Sequence, residues 1–271
     1  MSTGDLERSV TAYRDGLGFG VVAVGVIDDR TAARWLAPAV AGAPYVTVAS
    51  ASGVGGVIQM VEGAATPGYL PMRSFGWAAL ELSVADVDVV FAGLGAGFTT
   101  LRAPAPLTGR AGAVLRSAQV AGPTGEVLYL TEIRGELPPF ELPGRPDPGV
   151  GAVDGVYGVV YAAEDLELAR TWWEETFSVR RCSDRFGAIG VLNQAFGLPA
   201  SAVHRLSSVQ LAGRNLVEIN QYPPLAVRRP VLSGALPPGV AVVVVDAPKS
   251  APRVLVTPDG AILELRPSAF R

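Results

Sequence analysis

Two side-chain types that often carry catalysis are nearly missing from this 271-residue sequence, which has one histidine, His204, and one cysteine, Cys182. Zinc and iron sites need three or more nitrogen, oxygen or sulfur donors converging on one point, so a metal centre built on imidazole is disfavoured. Cys182 lies in RRCSDR with no histidine close by in sequence. The flanking arginines could lower its pKa, but a structural or incidental thiol is the better reading, and it cannot form an internal disulfide. Carboxylates and phenols on strands remain as candidates. In WAALELSV the two-residue period puts Leu80, Leu82 and Val84 on one face and Ala79, Glu81 and Ser83 on the other. If the apolar face packs on a helix, Glu81 points into the opposite concavity. Burial there would raise its pKa toward values useful for proton transfer, the alternative being a solvated rim carboxylate. The glycine runs GVGG at 53–56 and GLGAG at 93–97 lack the strand-to-helix context of a phosphate loop and read as turns.

The elements that must position these residues come in repeats. Leu6, Val10, Tyr13 and Leu17 fall at helical spacing behind Asp5, a suitable N-cap, and Gly16 and Gly18 close the segment. The pattern returns 160 positions later, where Asp165-Leu166-Glu167 matches Asp5-Leu6-Glu7 and Trp173 stands in the place of Tyr13. Trp172 and Trp173 thus occupy a helix stripe, where core packing outweighs ligand stacking. Strand-like segments follow each helix. A second kind of unit opens with a strand, WAALELSV, runs into a helix and ends in a hairpin around GPTG. Its late relative is GVAVVVVDAP with PDGAILELRP, in which Gly125, Leu128 and Leu130 map onto Gly260, Leu263 and Leu265. The short spacing after Asp246 predicts that this fourth unit has lost its helix. Residues 1–134 form an N-terminal pair of units, a Pro/Gly-rich linker covers 135–151, and residues 152–271 form the C-terminal pair.

Composition narrows the function classes. Hydrophobic residues make up 49% of the chain and charged residues 17%, yet no apolar run reaches the roughly 20 residues needed to cross a bilayer. The longest, Val240 to Val245, fits a buried strand. The opening MSTGDLERSV has no apolar segment with a cleavage site, so a cytoplasmic location is expected. Net charge is -3, with a single lysine, Lys249, and no basic stripe, so small molecules are favoured as partners over nucleic acid or a membrane.

The order of these motifs, from DLERSVTAYRDGLGF through VADVDVVFAGLGAGF with GPTGEVLYL and AEDLELARTWWEETF to PDGAILELRP, resembles the vicinal-oxygen-chelate superfamily of glyoxalases, bleomycin-resistance proteins and extradiol dioxygenases. The likeness covers most of the chain outside the linker. It implies an α+β fold of paired βαβββ modules, forming two cup-shaped antiparallel sheets with helices outside. Four modules in one chain let both cups close in a monomer or a homodimer. The opening strand of the first module is all but absent before Asp5.

The resemblance also locates a site. Seven residues before each helix-capping Asp, the positions of the family's first-strand ligands read Ala79, Gly158 and Gly239, none able to bind a metal. Last-strand positions read Gln59, Tyr129, Glu218 and Glu264. Glu218 and Glu264 would share the C-terminal cup, where two neighbouring carboxylates resist double ionisation and one stays protonated as an acid. Vestigial ligands facing water are the alternative. Glu81 would face the N-terminal cup beside Gln59 and Tyr129, whose phenol could donate to a substrate oxygen. Trp77 is a candidate ligand wall, and His204 opens a strand within reach of the C-terminal cup, although a lone histidine is more often structural. The leading expectation is a metal-independent isomerase, cyclase or lyase with no cofactor, with Glu218, Glu264 and Glu81 as catalytic carboxylates. The rivals are a ligand-sequestering protein and a metal enzyme with an atypical Glu218, Glu264 and His204 site.

Overall fold

A computed structural model describes residues 1–107, 109–179, 184–246 and 253–267; Cys182 and Lys249 lie outside them. Four helices begin in the same way, Asp28 accepting from the Thr31 amide at 2.8 Å ahead of the second. The Asp5 carboxylate accepts from the Arg8 amide at 2.9 Å, Asp86 from the amides of Asp88 and Val89, and Asp165 from those of Glu167 and Leu168. Each aspartate satisfies amides that the first turn leaves unpaired.

Four modules follow one another along the chain. The first holds β1 (Ser2–Thr3), α1 (Leu6–Leu17), β2 (Gly20–Val26), α2 (Asp29–Arg34), β3 (Pro44–Ala49) and β4 (Ile58–Glu62). The second holds β5 (Gly76–Val84), α3 (Val87–Gly93), β6 (Thr99–Pro106), β7 (Leu115–Ala121) and β8 (Val127–Ile133). The third holds β9 (Val153–Ala163), α4 (Leu166–Phe177), β10 (Arg185–Ala188), α5 (Gly190–Phe196), β11 (Val203–Gln210) and β12 (Leu216–Gln221). The fourth has β13 (Val242–Asp246), β14 (Arg253–Val256) and β15 (Ile262–Arg266), with no helix among the described residues. In every module the first and last strands are parallel neighbours, β1 with β4, β5 with β8, β9 with β12 and β13 with β15. The two-residue β1 is all that represents the opening strand of module one.

Modules two and three join through the antiparallel pair β5 and β9 into one eight-stranded sheet, ordered β10-β11-β12-β9-β5-β8-β7-β6. Modules one and four form separate sheets of four and three strands that meet where Ser2 bridges Gly239. Partners are therefore two with three and one with four. This corrects the expectation that each half closes a cup of its own, and with it the expectation that Glu218 and Glu264 share one.

Leu80, Leu82, Leu128, Leu130, Leu263 and Leu265 pack with Tyr13 from α1, Val87 from α3 and Trp173 from α4 in a core that draws on all four modules. The turns Gly125 (φ 78°) and Gly260 (φ 83°) are left-handed, which explains why the hairpins ahead of Leu128 and Leu263 share a glycine. The run Val240 to Val245 departs from the buried strand expected of it: β13 lies at a sheet edge and Val244 is exposed. Residues 135–151 act as a strap. Leu137 and Leu142 pack against Leu115, Ile133 and Tyr157, and Arg145 pairs with the buried Glu132 at 3.0 Å. No helix in the described residues is long and apolar enough to cross a membrane.

Candidate functional site

Strand register lines up the side chains of the module two and three cup. Arg102 on β6 pairs with Gln119 on β7, Gln119 with Tyr129 on β8, Tyr129 with Glu81 on β5, and Glu81 with Gly158 on β9. Residues paired in this way point to the same face of a sheet, so these five positions form a row across the concavity. The next row reads Ala79, Val160, Glu218 and Ser208. Glu81, Tyr129 and Glu218, separated in sequence, thus gather on one surface.

Glu81 sits at a break in the register. The pairs Glu81 with Gly158 and Leu82 with Val156 leave Tyr157 as an extra residue on β9, a bulge that turns its side chain into the cup. The Tyr157 hydroxyl donates to Glu81 Oε2 at 2.6 Å. Gly158 supplies room, since a Cβ there would sit 3.4 Å from the Glu81 carboxyl carbon. Burial, joined by the charge of Glu218, pushes the Glu81 carboxyl up to about 7, against the opposing pull of the Tyr157 hydrogen bond and the Arg185 guanidinium. Burial also holds the phenols of Tyr129 and Tyr157 well above their ordinary range, so both remain hydrogen-bond donors.

Several polar atoms around Glu81 are left without partners. The Tyr129 hydroxyl, Gln119 Oε1, Asn220 Oδ1 and Arg185 Nε are buried and make no hydrogen bond. Asn220 donates to Glu218 Oε1 at 3.0 Å, Gln119 to Ser117 Oγ at 3.0 Å, and Arg185 to Ser208 Oγ at 2.6 Å. Buried polar groups normally find partners, and a cluster of orphans marks a place where water or a ligand completes the set. Apolar residues close both ends. Val191 and Leu192 of α5 lie with Ala79, Val127 and Val160 on one side, and Leu115, Ile133 and the strap lie on the other.

The module one and four cup is built differently. Trp35, just after α2, fills it together with Ile27, Val40, Val61, Leu236 and Ala241. The Trp35 indole donates to Glu264 Oε2 at 2.6 Å, and Arg266 and Arg34 reach the same carboxylate at 2.9 and 3.4 Å. Burial alone would raise the Glu264 pKa, but the bonds from Arg266 and Trp35 and the two guanidinium charges hold it below the usual carboxylate range. Glu264 is thereby fixed as an anion within a filled cavity. Gln59, on β4, has its amide 3.5 Å from Thr47 Oγ1.

Two further residues stand elsewhere than expected. Trp77 is buried on the helix side of the sheet, edge-on to Tyr161 and Trp173, with its indole donating to the Ile262 carbonyl at 2.9 Å, so it walls no cup. His204 is 2.5 Å from Asn193 Oδ1, and Asn193 donates to the carbonyls of Ala200 and Ala202. That clasp ties α5 to β11; burial lowers the histidine pKa and keeps the ring neutral. Arg102, Gln119, Tyr157, Arg185 and Asn220 escaped sequence reasoning. Gln119 and Asn220 carry the signal of a polar residue on an apolar strand, whereas Arg102 and Tyr157 are aimed by register breaks that alternation cannot reveal.

The divalent metal implied by the resemblance does not fit this donor set. The ligand positions around the cup read Ala79, Gly158, Tyr129 and Glu218, and among the described residues no three His, Cys, Asp or Glu side chains converge.

No family model matches the sequence, and no curated protein matches it. Solved structures do. Glyoxalase I from Zea mays aligns over 97% of this chain and 89% of its own, at 12% identity and a TM-score of 0.60. A putative dioxygenase from Bacillus subtilis aligns over 97% of this chain and 82% of its own, at 13% identity and a TM-score of 0.61. The near-complete coverage at this similarity, with the four-module order and the parallel pairing of each module's first and last strands, identifies the chain as having the vicinal-oxygen-chelate fold.

Proposed function

We propose that the module two and three cup is a small-molecule site in which Glu81 moves a proton without a metal, the chemistry of an isomerase, cyclase or lyase. The observation that carries this reading is a carboxyl group buried among orphaned polar atoms and pushed up to about 7. A group with that pKa exists in both forms near neutrality, so it can take a proton and give it back. The ionised Glu81 takes a proton from carbon next to a carbonyl; the electron pair of the broken C–H bond forms a C=C bond to the carbonyl carbon, and the C=O π pair moves onto the oxygen. The Tyr129 phenol, buried and unpartnered, donates to that oxygen as its charge develops. Return of the proton from Glu81 to a different atom completes an isomerisation. Glu218 acts through its charge, which raises the Glu81 pKa. The apolar ends of the cup limit water.

The test is deuterium exchange from D2O into a panel of small ketones and 2-oxo acids, read by mass spectrometry. Exchange should follow the ionisation of Glu81, rising through pH 7, and fall about 100-fold or more in Glu81→Gln. Glu218→Gln should shift that rise to lower pH rather than abolish it. Exchange lost only in Glu264→Gln would move the site to the other cup. Binding of a panel member with no exchange, unaffected by Glu81→Gln, would make the protein a sequestering one.

A further inference from the structure

The row of side chains that holds Tyr129 and Glu81 ends at Arg102, whose charge the proton-transfer reading leaves unused. Arg102 lies between two register breaks on β6, with Thr100 paired to Val120, Arg102 to Gln119 and Ala105 to Ser117. Bulges of this kind re-aim a side chain, often beside a site. The guanidinium comes to rest against Gly190 at the start of α5, where an added Cβ would overlap it. No hydrogen bond or ion pair engages it among the described residues, whereas Arg116, Arg145, Arg170 and Arg205 all have carboxylate partners. Arg102 lines a recess of about 390 Å³ together with Ala188, Gly190, Asn193 and Leu198. Strand register sets Arg102 two strands from Tyr129, with Gln119 between them, so the residue that lines the recess also ends the row that crosses the cup.

We infer that this recess is an anion subsite and that the substrate is a small organic carboxylate, its charged end held by Arg102 while its other end reaches Tyr129 and Glu81. This rests on the proton-transfer reading for the far end of the molecule and on Arg102 alone for the near end. Neighbouring strands are spaced about 4.8 Å apart, so the backbone of Arg102 lies about 14 Å from that of Glu81. The long arginine and the inward lean of tyrosine and glutamate shorten this to the length of a small aromatic or short-chain acid. A guanidinium presents a planar fork that matches a carboxylate in two hydrogen bonds. The Gln119 amide oxygen and Tyr129 hydroxyl, both unpaired, lie along the path between the two ends. A side chain at Gly190 would push the fork from its present place.

The experiment measures binding by calorimetry with three phenyl probes: benzoate, its neutral planar counterpart benzamide, and the tetrahedral anion phenyl phosphate. Benzoate should bind the wild-type chain, at least tenfold more weakly to Arg102→Leu, and with intermediate affinity to Arg102→Lys, which keeps the charge and loses the fork. Gly190→Ala should weaken benzoate with the arginine still present. Benzamide should not distinguish wild type from Arg102→Leu. Benzoate affinity within twofold in wild type and both Arg102 variants overturns the inference, as does Arg102-dependent binding of phenyl phosphate in place of benzoate. Arg102-dependent benzoate binding by a chain that exchanges no member of the ketone and 2-oxo acid panel would sustain the subsite and overturn the proton transfer, so the two readings fail separately.

Discussion

The molecule contains the same cup twice, and the two copies have been filled in opposite ways. In the module one and four cup, Trp35 occupies the concavity, and the surviving family-position carboxylate there, Glu264, is paired with Arg34 and Arg266 and hydrogen-bonded by the indole. In the module two and three cup Val191 and Leu192 of α5 and the strap cover the ends, and the Glu81 carboxyl faces a second carboxylate, Glu218, rather than a pair of cations. A buried carboxylate held by two cations and an indole donor stays ionised, while one beside a second carboxylate has its pKa raised and is held at a cost. What separates the cups is thus the company each carboxylate keeps.

The largest expected effect tests the filled cup. Trp35→Ala should cost about 4 kcal/mol of stability, from the cavity left by the indole and the loss of a donor to Glu264. Denaturant unfolding measures the loss, and the Glu81 titration should be unchanged. A ΔΔG under about 1 kcal/mol would mean that the indole is not a plug.

Glu81→Gln should act with the opposite sign. The folded-state pKa of about 7 lies above the ordinary glutamate value of 4.5, so between those values the native state holds its proton while the unfolded chain ionises. Wild-type stability therefore falls as pH rises from 4.5 to 7, and the glutamine, which cannot ionise, escapes that loss. The variant should be more stable than wild type by about 3 kcal/mol at pH 8 and no more stable at pH 4. Unfolding at both pH values checks it, and equal differences at the two would remove Glu81 from the picture.

Tyr157→Phe should have the smallest effect. Its hydroxyl stabilises the ionised form of Glu81, so its removal should raise the glutamate pKa further and leave the fold intact. Carbon-13 NMR of the carboxyl group reads the shift directly. A downward shift would contradict the geometry of the bulge.

Much of the fold was legible because the repeats are local. Asp5 and Asp165 announce their helices, Tyr13 and Trp173 mark equivalent buried positions, and the glycines at 125 and 260 mark equivalent turns. The alternation that set Glu81 apart from Leu80 and Leu82 also survived, with the leucines in the core and the glutamate in the cup. Which modules would pair was not legible, since repeat spacing records ancestry along the chain and says nothing about which edges meet. That gap misplaced Glu264 beside Glu218 and set Gln59 beside Glu81. The role of Trp35 left no signal either: Asp28 marks the start of α2 as other aspartates mark their helices, but the plug depends on a carboxylate 229 residues away.

That separation has a consequence for assembly. The eight-stranded sheet is nested inside the sequence and takes all its strands from residues up to Gln221, whereas the outer cup joins Ser2 to Gly239 and Trp35 to Glu264 across nearly the whole chain. Long loops close slowly, and long-range pairings come late in folding. During synthesis the inner sheet can therefore form while module one still waits for its partner, its concave face and Trp35 uncovered until β15 arrives. The cup proposed to do chemistry is the one that the ribosome finishes first, and the plugged cup is the seam that closes the molecule around it.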